Sequence, residues 1–258
     1  MNEHQHNDRE HQVKEFSPQE LQIAELAKRG ATMEEIAQLR EPVATTPVEA
    51  VRQLKIGNAR FFSGRTLRAE TSPLERRAQV VGQTPFAVVL GCSDSRVPVE
   101  IVFDQGPGNI FAIRVAGNVV APSTLASIEY AIQHLKPHVL VVMGHEGCGA
   151  VHMAMTLTEE QIRKQSEYVQ LLLDRIGLGV RRLPRIRDGK ARMREAVIAA
   201  VRQQIHHLMQ NSVVKAAAEK EQIAILGAYY ELSSGAVDFL ETEEDLCLED
   251  AFRTPDGD

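Results

Sequence analysis

The pattern of apolar and polar positions changes character along the chain. Through residues 1 to 46 the apolar residues are scattered among His, Gln, Glu and Arg. From Pro47 the pattern becomes globular. Val51, Leu54, Ile56 and Phe61 are among the apolar positions of an amphipathic helix over residues 48–62. A polar interval follows, with a short helix expected from Pro73 to Val81. Then Phe86 to Leu90 forms a short continuous apolar run stopped by Gly91 and Cys92, the pattern of a fully buried strand. Ile110 to Ala116 reads as a second strand, and Val139 to Met143, stopped by Gly144, as a third. Between them Ser123 to Leu135 reads as a helix, with a Ser/Thr-rich entry and Pro137 at its exit. Gly149 to Met155 opens another helix, and residues 157–221 are mostly helical and more polar. Ile223 to Gly227 is a fourth strand. The turn Ser233-Ser234-Gly235 lets Ala236 to Leu240 fold back as an antiparallel edge strand. Strands alternating with helices predict an α/β fold. Its central sheet is mostly parallel, has helices on both faces and carries one antiparallel edge.

Three regions follow from this pattern: an N-terminal arm over residues 1–46, helical or mobile, a globular domain over 47–241, and an acidic tail over 242–258. In the arm, Ser17-Pro18-Gln19-Glu20 has the form of a capping box with Pro at the first helical position. Gly30 ends that helix, and Thr32-Met33-Glu34-Glu35 signals a second start. The stretch Ala27 to Ala37 faintly resembles the first half of a helix-turn-helix, but no basic recognition helix follows it. A docking hairpin or mobile arm is the expectation. His4, His6 and His11 read as a solvated tail. The basic run Arg181, Arg182, Arg185, Arg187, Lys190, Arg192 and Arg194 reads as a solvated loop and helix start.

The net charge of −6 argues against a general nucleic-acid binder, and no apolar run is long enough to span a membrane. The first residues are polar, with no pattern of a secretory signal. Of the three cysteines, Cys92 and Cys148 have a better use than a disulfide, and Cys247 reads as a bystander. That points to a reducing, cytoplasmic compartment.

The better use is metal binding. Strand ends deliver Cys92, and His145 with Cys148, to one edge of the sheet, where open α/β sheets place their chemistry. Two thiolates and one imidazole make three ligands, the count of a zinc site with an open fourth position. Cys148 sits where a helix begins, which favours its thiolate. Gly144, Gly147 and Gly149 are expected to leave room for tight backbone around an ion. With two thiolates and a neutral imidazole such a zinc has no net charge, so its water is less acidified than in a three-histidine site. A further group must orient that water. Asp94, two residues beyond a ligand, is available, and Arg96 can grip it with a bidentate fork. His134, His138 and His152 read as surface or core filler. These residues alone leave both a structural and a catalytic zinc open.

Cys92-Ser93-Asp94-Ser95-Arg96 together with His145-Glu146-Gly147-Cys148-Gly149 resembles the β-class carbonic anhydrases. The similarity runs from Asn58-Ala59-Arg60-Phe61 through Arg114-Val115-Ala116-Gly117-Asn118 and Ile128-Glu129-Tyr130-Ala131 to Gly227-Ala228-Tyr229-Tyr230, most of residues 48–241. The resemblance implies zinc on Cys92, His145 and Cys148, with Asp94 and Arg96 as the catalytic dyad. It implies reversible hydration of carbon dioxide to bicarbonate and a proton by attack of zinc-bound hydroxide. It also implies a dimer or an even multiple of one. Gln83, Phe111 and Tyr130 fall where plant-like members line the carbon dioxide pocket across the dimer interface. Other members carry a tryptophan three residues before the first cysteine, in an inhibitory bicarbonate site. Val89 stands there in this chain and puts that site in doubt. Two alternatives stay open at this point: hydrolysis of carbon disulfide or carbonyl sulfide on the same zinc, and a non-catalytic zinc scaffold.

Overall fold

Each apolar run read as a strand pairs with another. In the computed structural model, residues 43–67, 82–181, 183, 184 and 186–240 are described, with isolated positions among residues 22–32 and residues 76, 79 and 80. The capping signals at 17–20 and 33–35, most of the helix expected over 73–81, and the tail with Cys247 lie outside the described residues. Backbone contacts divide the chain into two units, residues 1–41 with 72–82, and residues 42–71 with 83–258. The second unit carries every element below.

It begins with helix α1 (Pro47–Phe62), started by Thr46, whose hydroxyl accepts from the Glu49 N–H, and by Pro47 in the first turn. Strand β1 (Ala87–Cys92) is followed by a short helix α2 (Val99–Val102) and strand β2 (Ile110–Val115). Helix α3 (Pro122–Tyr130) runs on into a π-helical turn over Ala131–Leu135 before strand β3 (Val139–His145). Four helices come next, α4 (Gly149–Thr156), α5 (Glu159–Arg163), α6 (Glu167–Val180) and α7 (Gly189–Met209). Helix α8 (Ser212–Glu219) and strands β4 (Ala224–Tyr230) and β5 (Val237–Leu240) complete it.

The five strands form one sheet in the order β2-β1-β3-β4-β5. All pairs are parallel except β4 with β5, the antiparallel edge expected from the turn at Ser233 to Gly235. Strands β1 and β3 are buried along their whole length, which is why both read as continuous apolar runs rather than alternating ones. Their side chains divide between two cores. Ala87, Val89, Val139, Val141 and Met143 pack with Leu54 of α1 and with Val99, Val102 and Phe103 at α2. Val88, Leu90, Leu140 and Val142 pack on the other face with Ile128 of α3, Val201 and Leu208 of α7 and Val214 of α8. Helices thus cover both faces. Each fully buried Leu or Val in these layers contributes about 1.5–3 kcal/mol relative to exposure. That burial makes β1 and β3 rigid supports for whatever sits at their ends.

Of the basic run, Arg182 and Arg185 lie outside the described residues. Arg187 lies in a bend and α7 starts at Gly189. Arg194 is anchored, with an Nη donating to Asp238 at 2.8 Å and its guanidinium over the Tyr229 ring at 4.5 Å.

Candidate metal centre

The strand order creates the site. From β1 the chain moves outward to β2, then crosses back to β3 on the other side of β1. Neighbouring connections therefore leave β1 and β3 in opposite directions, which opens a crevice beyond their carboxyl ends, where open α/β sheets bind ligands. Cys92 is the last residue of β1 and His145 the last of β3. After His145 the chain turns through Gly147 at φ 66, a left-handed conformation that suits glycine, and Cys148 becomes the N-cap of α4. All three side chains are buried, and their donor atoms lie within 4.8 Å of one another.

The donors are prepared for a cation. His145 Nδ1 lies 2.9 Å from the Glu146 carbonyl oxygen. A carbonyl only accepts, so Nδ1 carries the hydrogen and Nε2 presents its lone pair. That Nε2 is buried and has no hydrogen-bond partner. A buried polar atom left unpaired is costly, and a metal ligand is the role that would explain it. The two thiols pull each other's acidity in opposite directions. The Cys92 thiol is pushed down, first because Cys148 donates to its sulfur, and the Cys148 thiol is pushed up by giving that hydrogen and by burial. A bound cation would favour both sulfurs as thiolates. The orphan nitrogen and the paired sulfurs therefore fit zinc, whose protein sites use such N and S donors.

On the rim of this group Asp94 is held by Arg96 in the bidentate arrangement expected. Arg96 Nε donates to Oδ1 at 2.9 Å and an Nη to Oδ2 at 2.8 Å, while the Arg96 backbone N–H donates to Oδ1 at 3.0 Å. These bonds, the side-chain ones first, hold the Asp94 carboxyl far below the usual carboxylate range. Oδ2 lies 4.0 Å from His145 Nε2. The ionised carboxylate thus faces the donors without being one of them.

Two residues that stand in the quoted motifs, but to which the sequence assigned no role, support this arrangement. Arg114 donates to the backbone carbonyls of Cys92 and Asp94, at 3.0 and 2.6 Å. Glu146, between the two later donors, accepts from the Ser233 N–H at 2.9 Å and donates its own N–H to the Tyr230 carbonyl at 2.8 Å. Both contacts depend on strand register, so spacing along the chain does not reveal them. One of the glycines expected to make room for an ion serves packing instead. A Cβ on Gly144 would lie 2.5 Å from Val197 Cγ1 and 2.8 Å from Val201 Cγ2, so this glycine admits α7 against β3 rather than an ion. A Cβ on Gly149 would meet nothing within 4 Å.

Gln83, Phe111 and Tyr130 are not gathered around the donors of their own chain. Phe111 pairs with Val88, four residues before Cys92, or about 13 Å at a strand rise of about 3.3 Å per residue. Its ring lies 6.3 Å from that of Tyr130, which is 49% exposed and 5.1 Å from the ring of His134. Gln83 is exposed just ahead of β1. Val89 is fully buried inside β1. His134, His138 and His152 stand outside the single group of clustered potential metal ligands found among the described residues.

Comparison with known proteins gives a consistent picture. Residues 87–237 match a family profile described as carbonic anhydrase. Carbonic anhydrase 2 of Mycobacterium tuberculosis is 38% identical over 192 residues, which cover 74% of this chain and 91% of that protein. A carbonic anhydrase of Mycolicibacterium smegmatis is 37% identical over 196 residues, 75% of this chain and 93% of that one. Among solved structures, one of two tetrameric β-carbonic anhydrases of the filamentous ascomycete Sordaria macrospora aligns with TM-score 0.60. It is 28% identical, and the match covers 66% of this chain and 88% of that one. A β-carbonic anhydrase of Aspergillus fumigatus aligns with TM-score 0.52 at 29% identity, over 69% and 86% of the two chains.

Proposed function

The chain belongs to the β-class carbonic anhydrase family, and from that premise we propose that it is a zinc enzyme that reversibly hydrates carbon dioxide to bicarbonate and a proton. Cys92, His145 and Cys148 hold the metal, and Asp94 with Arg96 forms the catalytic dyad. The observation that carries this reading is the ionised, doubly gripped Asp94 carboxylate 4.0 Å from the unpaired nitrogen of His145. A purely structural zinc has no use for a carboxylate restrained beside it. A scaffold would therefore keep an acid and an arginine at its metal for no purpose.

Bound by these residues, zinc supplies a Lewis acid that acidifies water and polarises oxygen. The chain supplies orientation. The Asp94 carboxyl is so strongly acidic that it does not hold a proton near neutrality, so its part is to accept a hydrogen bond. There its oxygen would accept a hydrogen bond from the attacking hydroxyl and so leave a lone pair of that hydroxyl facing the carbon of the substrate. By gripping both oxygens, Arg96 would keep the carboxylate from becoming a further ligand of the metal. Burial of Cys92, Cys148 and His145 excludes bulk water from the donor side.

Gln83, Phe111 and Tyr130 act in this account as substrate-binding residues for a neighbouring subunit, in a dimer or a larger even-numbered assembly. Support comes from the half-exposed Tyr130 beside Phe111, far along the strand from Cys92. Residues 47–241 form the catalytic domain, with 1–46 as an accessory arm and 242–258 as a tail. Among the described residues no helix is long and apolar enough to cross a membrane. Two cysteines needed as thiolates suit the cytoplasm. Stopped-flow proton release after mixing zinc-loaded protein with carbon dioxide tests the reading. A rate no greater than that of buffer would reject it.

A further inference from the structure

Arg96 fixes the direction of the Asp94 carboxylate but cannot fix its distance from the metal ligands. It lies two residues from Asp94 in the same turn, so the pair moves as the turn moves. Something outside the turn must tie it down. Strand β2 provides that tie, since Arg114 stands opposite Gly91 and Val115 opposite Cys92 in the parallel register. Arg114 Nε donates to the Cys92 carbonyl at 3.0 Å and an Nη to the Asp94 carbonyl at 2.6 Å. Between those two residues, the Ser93 N–H donates to the Val115 carbonyl at 3.1 Å. Two consecutive residues of β2 thus hold three consecutive residues of the β1 exit, and the span held runs from a proposed metal ligand to the orienting carboxylate.

We propose that Arg114 is a positioning residue whose guanidinium fork sets the separation between Cys92 and Asp94; this rests on the carbonic anhydrase reading of the site. The fork matters more than the charge. A guanidinium presents donors in a rigid plane and spans two carbonyls at once, whereas an ammonium is a compact point on a flexible stem. The Asp94 carbonyl also accepts from the Val97 N–H at 3.0 Å, so removing Arg114 leaves the turn formed but free to pivot. Arg114 is exposed, with its bond to Asp94 at the surface and its bond to Cys92 only partly buried, so its loss costs the fold a few degrees of melting temperature at most. A pivot of the turn is costly to the reaction, because a misplacement of about 1 Å can reduce turnover about 100-fold.

The test compares full-length zinc-loaded Arg114→Ala and Arg114→Lys with the parent. Melting temperature, zinc release to a chelator, and kcat and KM for carbon dioxide are measured on each. Both variants should melt within a few degrees of the parent, release zinc several-fold faster, and lose about 10- to 100-fold in kcat with little change in KM. Millimolar guanidinium added to Arg114→Ala should recover part of kcat, which a general structural defect would not allow. If Arg114→Ala fails to fold, Arg114→Lys carries the test. Parent-like kcat and zinc release in Arg114→Lys would overturn the proposal. So would a loss in Arg114→Ala that tracks its melting temperature and ignores guanidinium. A parent that does not hydrate carbon dioxide would reject the reading of the site, while the zinc-release comparison would still decide whether Arg114 holds Cys92.

Discussion

The role proposed for Asp94 depends on its carboxyl staying charged. A carboxyl lowered by its partner keeps its charge above the ordinary carboxylate pKa and loses that stabilisation only as the pH falls through the lowered value. In the parent enzyme Asp94 should therefore show no titration between about pH 4 and 9, read by the carboxyl carbon resonance. Arg96→Ala removes the first cause of the shift. The same resonance should then titrate at higher pH than in the parent, and turnover should fall about 100-fold as the carboxylate loses its orientation. An Arg96→Ala variant with parent-like turnover contradicts the role of the dyad. Cys148→Ser tests the metal set. Loss of a ligand should weaken zinc binding beyond the roughly 10- to 100-fold that follows loss of a group that merely orients one, and metal analysis after dialysis reads it. The donors and the dyad were legible in the sequence because each lies at, or a few residues past, an apolar run that ends in glycine. The role of Arg114 was not, because its partners are carbonyls of the β1 exit and the register of β1 with β2 is not written in either segment alone.

At the scale of elements, buried strands were the easiest to read and close packing the hardest. Strands β1 and β3 announce themselves by continuous Val and Leu. Strand β4 extends further than its apolar run, to Tyr230, because Tyr229 and Tyr230 bury their rings while their backbone continues the pairing with Gly144 and His145. The short helix α2 carries no periodic signal of sufficient length to be seen, and the helix read over Ser123 to Leu135 turns π-helical from Ala131. Gly144 shows why local reasoning failed. Its position beside a proposed ligand suggested room for an ion, yet the space is taken by Val197 and Val201 of α7. Gly144→Ala should therefore destabilise the fold by about 1–3 kcal/mol through overpacking. A melting temperature several degrees below that of the parent is the expected reading, and an unchanged one would mean that α7 has slack against β3.

For the whole molecule, the sequence pattern led to an α/β domain with a parallel sheet and one antiparallel edge, and the structure has that sheet. What a single chain does not bring together is the proposed substrate pocket, because Phe111 stands about 13 Å along the strand from Cys92, at a rise of about 3.3 Å per residue, with Tyr130 beside it. The account therefore expects activity to reside in a dimer or a larger even assembly. Sedimentation at assay concentrations checks this, with an active monomer as the contrary result. Tyr130→Ala should raise KM for carbon dioxide while leaving the zinc content of the protein unchanged. The central claim is narrower than any of these: a metal held by Cys92, His145 and Cys148 turns carbon dioxide into bicarbonate. Loss of oxygen-18 from labelled carbon dioxide into water at chemical equilibrium measures that interconversion without regard to buffer or proton carrier. Zinc-loaded protein should accelerate the loss in proportion to the zinc bound, and Cys148→Ser should leave it near the uncatalysed rate. Exchange at the buffer rate in fully zinc-loaded parent protein would contradict the account.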